Sequence, residues 1–175
     1  LEVIKKSKIF LTQMETPDLT TMYALKKAKD NDCLTILNPA PARKINENDF
    51  KLLDFFTPNE TEAEFYLNKK IETNEDIKNA AKEFLNRGVK NIIITLGEKG
   101  IYFANKDEEY FIDALKLKDE VVDTTGAGDA FNGAFAVALA NEIKYKDALI
   151  FANKVAGIST TRLGAASSMP TLKEV

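Results

Sequence analysis

The segment TGAGD, residues 125–129, sets two glycines and an alanine between a hydroxyl and a carboxylate, directly ahead of the apolar run AFNGAFAVALA. Glycine and alanine let the backbone approach a ligand closely, and the first turn of a helix carries amides without intrahelical acceptors. Aligned peptide dipoles add roughly half a positive charge at that end. Such a place suits a phosphoryl group. The loop is not a Walker A sequence, since no Gly-Lys-Ser/Thr follows, and Phe131 stands where the Rossmann fingerprint has its third glycine. A plain alternative stays open: Thr125 or Asp129 caps the helix, and Gly126, Gly128 and Gly133 serve packing.

The composition narrows what else this chain does. Its 175 residues fit one domain with a real core, and 45% hydrophobic with 29% charged residues reads as a folded, soluble protein. No apolar run approaches the ~20 residues of a membrane span. The net charge of −3, without a basic stripe, argues against nucleic acid or an anionic membrane as partner and leaves a small anionic ligand open. Histidine is absent, which excludes Ser-His-Asp and Cys-His catalysis and His-containing zinc sites. The single cysteine, Cys33, forms no internal disulfide; beside the strand-like LTIL it reads as a buried apolar residue rather than a reactive thiol. The opening LEVIKKSKIF lacks the regions of a secretory signal, so a reducing cytoplasm is the default compartment.

Short apolar runs alternate with helical patterns, which predicts an α/β fold with a mainly parallel sheet. Strands are expected at KIFLTQ (8–13), LTILN (34–38), DFFTP (54–58) and NIIITL (91–96), with helices over residues 17–30, 60–67 and 74–87. IYFA and EYFIDA around NKDE read as an antiparallel hairpin. The apolar run after TGAGD predicts a helix buried on most faces, with Phe131, Phe135 and Leu139 on one stripe. A second helix follows over residues 146–160 and ends in TRLGAASSMP, a loop of small residues. The first strand is expected almost at the start of the chain and no helix is expected to close it, so both ends read as cut from something longer.

DTTGAGDAFNG, residues 123–133, resembles the C-terminal signature of the ribokinase-like, or PfkB, carbohydrate kinases. LNPAPA (37–42), TPNETEAE (57–64), TLGEKG (95–100), TRLGAASSMP (161–170) and the Gln13-Met14-Glu15 turn resemble segments of the ribokinase branch, in the same order. The resemblance implies a three-layer α/β/α ribokinase-like (Rossmann-like) fold. Residues 1–175 then correspond to the C-terminal ATP-binding and catalytic part of the kinase domain, with the glycine-rich sugar-binding motif and the lid upstream. It implies ATP-dependent phosphorylation of a sugar hydroxyl, D-ribose first because of NPAPA and NETEAE. Fructokinase, ketodeoxygluconate kinase and nucleoside kinase activities stay open, as does a nucleotide-binding fragment without turnover.

The roles implied by the resemblance are specific. Asp129 matches the catalytic base that takes the proton of the sugar hydroxyl, and also contacts that substrate. The amides of Gly126, Ala127, Gly128 and Asp129 match the anion hole. Asn59 and Glu62 match an Asn-x-x-Glu motif that acts near Mg²⁺ and the phosphates; three-residue spacing puts both on one helix face, although Asn and Glu also simply start helices. Thr95, Gly97 and Gly100 match positions beside the ATP phosphates and nucleoside, or form a plain strand-to-hairpin turn. Asn153 matches a position bordering the adenine. Asp123, Thr125, Ser159, Arg162, Gly164 and Ser168 match a monovalent-cation (K⁺) site; an ordinary Asp123–Arg162 pair is the alternative. Glu15 matches a sugar contact, or is a solvated strand-end residue. The implied partners are ATP and a small sugar, with a homodimer built through the lid in the full-length protein.

Overall fold

A computed structural model describes residues 2–116 and 120–175. In chain order the elements are α1 (Glu2–Lys5), β1 (Ile9–Thr12), α2 (Asp18–Lys29), β2 (Leu34–Leu37), β3 (Phe55–Phe56), α3 (Glu60–Leu67), α4 (Asn74–Arg87), β4 (Asn91–Thr95), β5 (Ile101–Asn105), β6 (Glu109–Ile112), α5 (Ala127–Ala140) and α6 (Tyr145–Ser159). The six strands form one sheet in the order β1-β2-β3-β4-β5-β6. β1 to β4 pair in parallel, with Ile9 opposite Leu34, Ile36 opposite Phe55, and Phe55 opposite Asn91. This is the α/β architecture that the alternating pattern predicts.

Chain length argues for one domain, whereas the backbone forms two compact units. One holds the residues through Leu96 together with Tyr102–Phe111; the other holds Gly97–Ile101 and the described residues from Ile112 onward. In the first, β2 and β4 are buried almost residue by residue rather than at alternate positions, as expected of parallel strands covered on both faces. α4 begins in a capping box, Thr73 accepting from the Asp76 amide while Asp76 accepts from that of Thr73. It buries the stripe Ile77, Ala80, Ala81 and Phe84 and stops at Gly88, whose φ of 109° favours glycine. Phe50, Phe56, Tyr66 and Phe84 pack ring against ring beside it. The hairpin forms as predicted: Asn105 takes the amides of Asp107 and Glu108 on its side chain and donates its own N–H to the Glu108 carbonyl at 2.9 Å.

Two expectations need correction. The chain does not open on a strand: a one-turn helix, α1, joined by a Glu2–Lys5 pair at i and i+3, precedes β1. Nor is α5 buried on most faces. Ala130, Phe131, Asn132, Phe135 and Ala138 are buried, Leu139 is only half-buried, and Val137 is 58% exposed. Alanine and glycine make the helix apolar on average without giving it large side chains to bury all round, so a single stripe packs. α5 and α6 pack on each other.

At the start of β3, Asp54 is held among Lys29, Lys90 and Thr35. Its side chain is 11% exposed, with Lys90 at 2.9 Å and the Thr35 amide at 3.0 Å. Burial pushes its carboxyl up, but the hydrogen bonds from Lys29, Lys90 and Thr35 outweigh that and leave it below the usual range. A depressed folded pKa contributes stability above the unfolded value of about 3.9, lost as pH falls through the folded pKa. In denaturant titrations, the stability gap between wild type and Asp54→Asn should therefore be widest near neutrality and shrink below pH 4. A gap independent of pH would contradict this. Cys33 lies nearby, 1% exposed, and burial followed by the Asp54 charge raises its thiol. It is a packed residue, as its sequence setting suggests. Among the described residues no helix is long and apolar enough to cross a membrane.

Candidate functional site

In the second unit the TGAGD segment is stitched down from two sides. The amides of Val122 and Asp123 both donate to the Thr160 carbonyl, at 2.8 and 3.1 Å, which ties the loop to the end of α6. Asp123 accepts from the Thr125 amide at 2.9 Å with one carboxylate oxygen and from the Gly164 amide at 3.0 Å with the other. The Thr125 hydroxyl first, then those two amides, hold its carboxyl below the usual carboxylate range. One anionic side chain thus joins residues 123–125 to the loop after α6.

Gly126 is the N-cap of α5, with φ 78° and no side-chain cap bond. A Cβ there would sit 3.1 Å from the Ala165 Cβ and 3.2 Å from the Ala165 Cα, so glycine answers both the left-handed backbone and the close approach of residue 165. The Ala130 amide closes the first turn on the Gly126 carbonyl at 2.8 Å, and the Ala127 amide donates to the Thr124 carbonyl at 3.2 Å. A Cβ on Gly128 would meet nothing within 4 Å. Asp129 projects from this first turn and is exposed. With no side chain capping the turn, open space at Gly128 and a positive dipole end, the arrangement fits an anion.

In the first unit the strand ends carry the other predicted residues. Asn59 caps α3 by accepting from the Glu62 amide at 2.8 Å, and Glu62 accepts from the Asn59 amide at 2.9 Å. The helix-start role is therefore filled by the same pair for which the motif implies chemistry. Burial raises the Glu62 carboxyl, against the lowering effect of the Asn59 amide. Thr95 ends β4 and lies beside Asn59 in a parallel bridge, its amide donating to the Pro58 carbonyl at 3.0 Å. Asn59, Glu62 and Thr95 are thus brought together. Glu15 is exposed, in a turn pinned by the Met14 amide on the Ala40 carbonyl at 2.9 Å. Asn38 is buried and donates to the Thr57 carbonyl at 3.0 Å, a turn-shaping part.

The pfkB family carbohydrate kinase model matches residues 1–172. The chain belongs to that family. Among curated PfkB relatives, the ribokinase of Haemophilus influenzae is 38% identical over 98% of this chain and 55% of its own length. The deoxyribokinase of Salmonella typhi is 35% identical over 99% and 56%. A crystal structure of ribokinase from Thermotoga maritima matches with a TM-score of 0.88 at 42% identity, covering 99% of this chain and 57% of that one. The Arabidopsis thaliana ribokinase, solved with ribose and ATP, matches with 0.94 at 32% identity over 98% and 55%. The chain spans little more than half the length of each of these four relatives.

Other residues singled out by the PfkB pattern have definite places. Gly100 is buried with φ 98°, and a Cβ on it would lie 2.0 Å from the Ile112 carbonyl, so close backbone packing alone demands glycine there. Gly97 is exposed with φ 56° and open space around it. Asn153 donates to the Asp113 carbonyl at 2.8 Å and so joins α6 to the segment after β6. Ser159 is buried, and its carbonyl accepts from the Arg162 amide at 3.3 Å. The Arg162 guanidinium goes to Glu174, not to Asp123. Hydrogen bonds from Thr171, then from Arg162, hold the Glu174 carboxyl at about 2. Ser168 is fully buried and its hydroxyl donates to the Ala165 carbonyl at 2.7 Å.

Sequence reasoning missed Asn132. It is buried on α5 and donates to the Gly128 carbonyl at 2.9 Å, which fixes one peptide of the loop from inside the helix. The signal was present: it is a polar residue inside an apolar helix, four after Gly128, the spacing of a side-chain bond back to the i−4 carbonyl.

Proposed function

We propose that residues 1–175 form the ATP-binding and catalytic part of a carbohydrate kinase that phosphorylates a sugar hydroxyl, D-ribose to ribose 5-phosphate first. The observation that carries this reading is the start of α5. It has a left-handed glycine cap, no side-chain cap, open space at Gly128 and a carboxylate, Asp129, on the first turn. ATP supplies the phosphoryl group, and Mg²⁺ neutralises charge on it. Among the described residues no cluster of Cys, Asp or Glu could hold a metal by itself. Such an ion would be held through phosphate oxygens and steadied by Glu62 with Asn59.

In this reading the amides of Gly126, Gly128 and Asp129 face the charge that develops in the transfer. The Ala127 amide joins them by leaving the Thr124 carbonyl. Asp129 takes the proton of the sugar hydroxyl, while Thr95, Gly97, Gly100 and Asn153 border the nucleotide and Glu15 reaches the sugar. Asp123, ionised and tied to both loops, anchors a K⁺ site with oxygens of Thr125, Ser159, Arg162, Gly164 and Ser168, so that the cation stiffens the backbone of the anion hole. Ribose is favoured because the Haemophilus relative is named a ribokinase and the Arabidopsis structure contains ribose; the Salmonella relative favours deoxyribose as the second reading.

The test is ADP release by the product of the complete reading frame over ribose, deoxyribose and fructose, in potassium and in tetramethylammonium salts, beside ATP calorimetry. Ribose-dependent release, stimulated by potassium, is the expected result. Binding of ATP without release on any sugar would reduce the assignment to a nucleotide-binding fragment, and equal rates in both salts would remove the cation.

A further inference from the structure

Tyr66 sits on α3 one turn after Glu62, and its hydroxyl is buried with no hydrogen bond of ordinary geometry among the described residues. Such an orphan needs an explanation, because a buried donor without an acceptor weakens the fold and is usually paired. The ring is fixed edge-on against Phe56 at 5.5 Å and Phe50 at 6.1 Å, so the hydroxyl cannot swing out to water without breaking that cluster. The Arg43 main chain faces the oxygen, which leaves the hydroxyl's proton as the unsatisfied partner. Burial drives this phenol up to about 12, keeping it a donor throughout the neutral range.

Two carboxylates act on it, those of Glu62 and Asp18. Asp18 is engaged by the Arg43 guanidinium at 3.4 Å. Among the described residues no cation pairs with Glu62; it accepts from the Asn59 amide in the capping box and is half-buried. Helix side chains lean toward the N-terminus, so a residue at i+4 covers the turn below it, and Tyr66 lies over the turn that carries Glu62.

We propose that Tyr66 is a positioning residue whose hydroxyl donates to the Glu62 carboxylate when that group turns from capping α3 to steady a metal–nucleotide complex. The inference rests on the role given to Glu62 above. In the nucleotide-free protein Glu62 serves the helix; in the loaded protein it loses the Asn59 amide and gains the phenol, so the carboxylate keeps a hydrogen bond in both positions. Outer partners of metal-holding groups are worth about 10-fold or more in affinity.

The experiment is a double-mutant cycle with Tyr66→Phe, Glu62→Gln and both together, in the product of the complete reading frame. It reads Mg²⁺-dependent ADP binding by calorimetry and the nucleotide-free melting temperature. Tyr66→Phe should weaken Mg²⁺-dependent binding about 10-fold in the wild-type background, change nothing further in Glu62→Gln, and leave the melting temperature equal or higher. If Glu62→Gln weakens binding but Tyr66→Phe has no effect, or the same effect in both backgrounds, Tyr66 has no such role while the reading of Glu62 survives. A lowered melting temperature for Tyr66→Phe would show a partner already present in the free protein and overturn the proposal. If Glu62→Gln leaves Mg²⁺-dependent binding intact, the assignment of Glu62 falls first and that of Tyr66 with it.

Discussion

Asp129→Asn should lower turnover by ~10²–10⁴ while leaving ATP binding within a few-fold of wild type. The substitution keeps the size and hydrogen-bonding shape of the side chain, and asparagine is tolerated in a first helical turn, so α5 should start as before. What it removes is the capacity to accept a proton. The elements that could bind phosphate are main-chain amides around Gly126 and Gly128, which the change does not touch. A split between retained binding and lost turnover therefore separates a base from a cap: a residue serving only as a cap would alter stability and leave kcat alone. Steady-state kinetics and ATP calorimetry on the product of the complete reading frame make the comparison. Normal turnover would remove Asp129 from the chemistry.

Phe56→Ala should cost about 3–5 kcal/mol of stability, the range for truncating a fully buried aromatic side chain. Phe56 has no exposed surface, and its ring meets Phe50 at 5.7 Å, Tyr66 at 5.5 Å and Phe84 at 5.2 Å, so the cavity is walled by rings that are themselves held in place. Arg87 closes the cluster, with its guanidinium 5.6 Å from the Phe50 ring centre and a hydrogen bond to the Tyr66 carbonyl. Such a site relaxes poorly after a deletion. Phe65, the neighbour of Tyr66 on α3, is the control: at 51% exposed it should lose about 1 kcal/mol or less on truncation. Denaturant midpoints for the two variants test the contrast, and equal losses would mean that the ring cluster is not the core of this unit.

The elements were legible because each signal was local. NIIIT is a β-branched run and became β4; the helix expected over residues 74–87 became α4, which buries Ile77, Ala81 and Phe84 and stops at Gly88. The overreading of α5 has the opposite cause. Mean hydropathy does not distinguish a helix of small residues with one packed stripe from a helix buried all round, and Val137 shows which it is.

The candidate site divides in the same way. Sequence alone determined the residue types and their order: TGAGD at the start of a helix, Asn59 and Glu62 three apart, glycines at the turn after β4. These follow from covalent spacing and backbone preference, which need no partner. Only the tertiary structure decided which groups are already engaged. It joined Asp123 to Gly164, 41 residues on, turned Arg162 to Glu174 instead, and left the Tyr66 hydroxyl without an acceptor among the described residues. A hydrogen bond depends on distance and angle between groups that chain order leaves far apart, and packing alone brings those groups together.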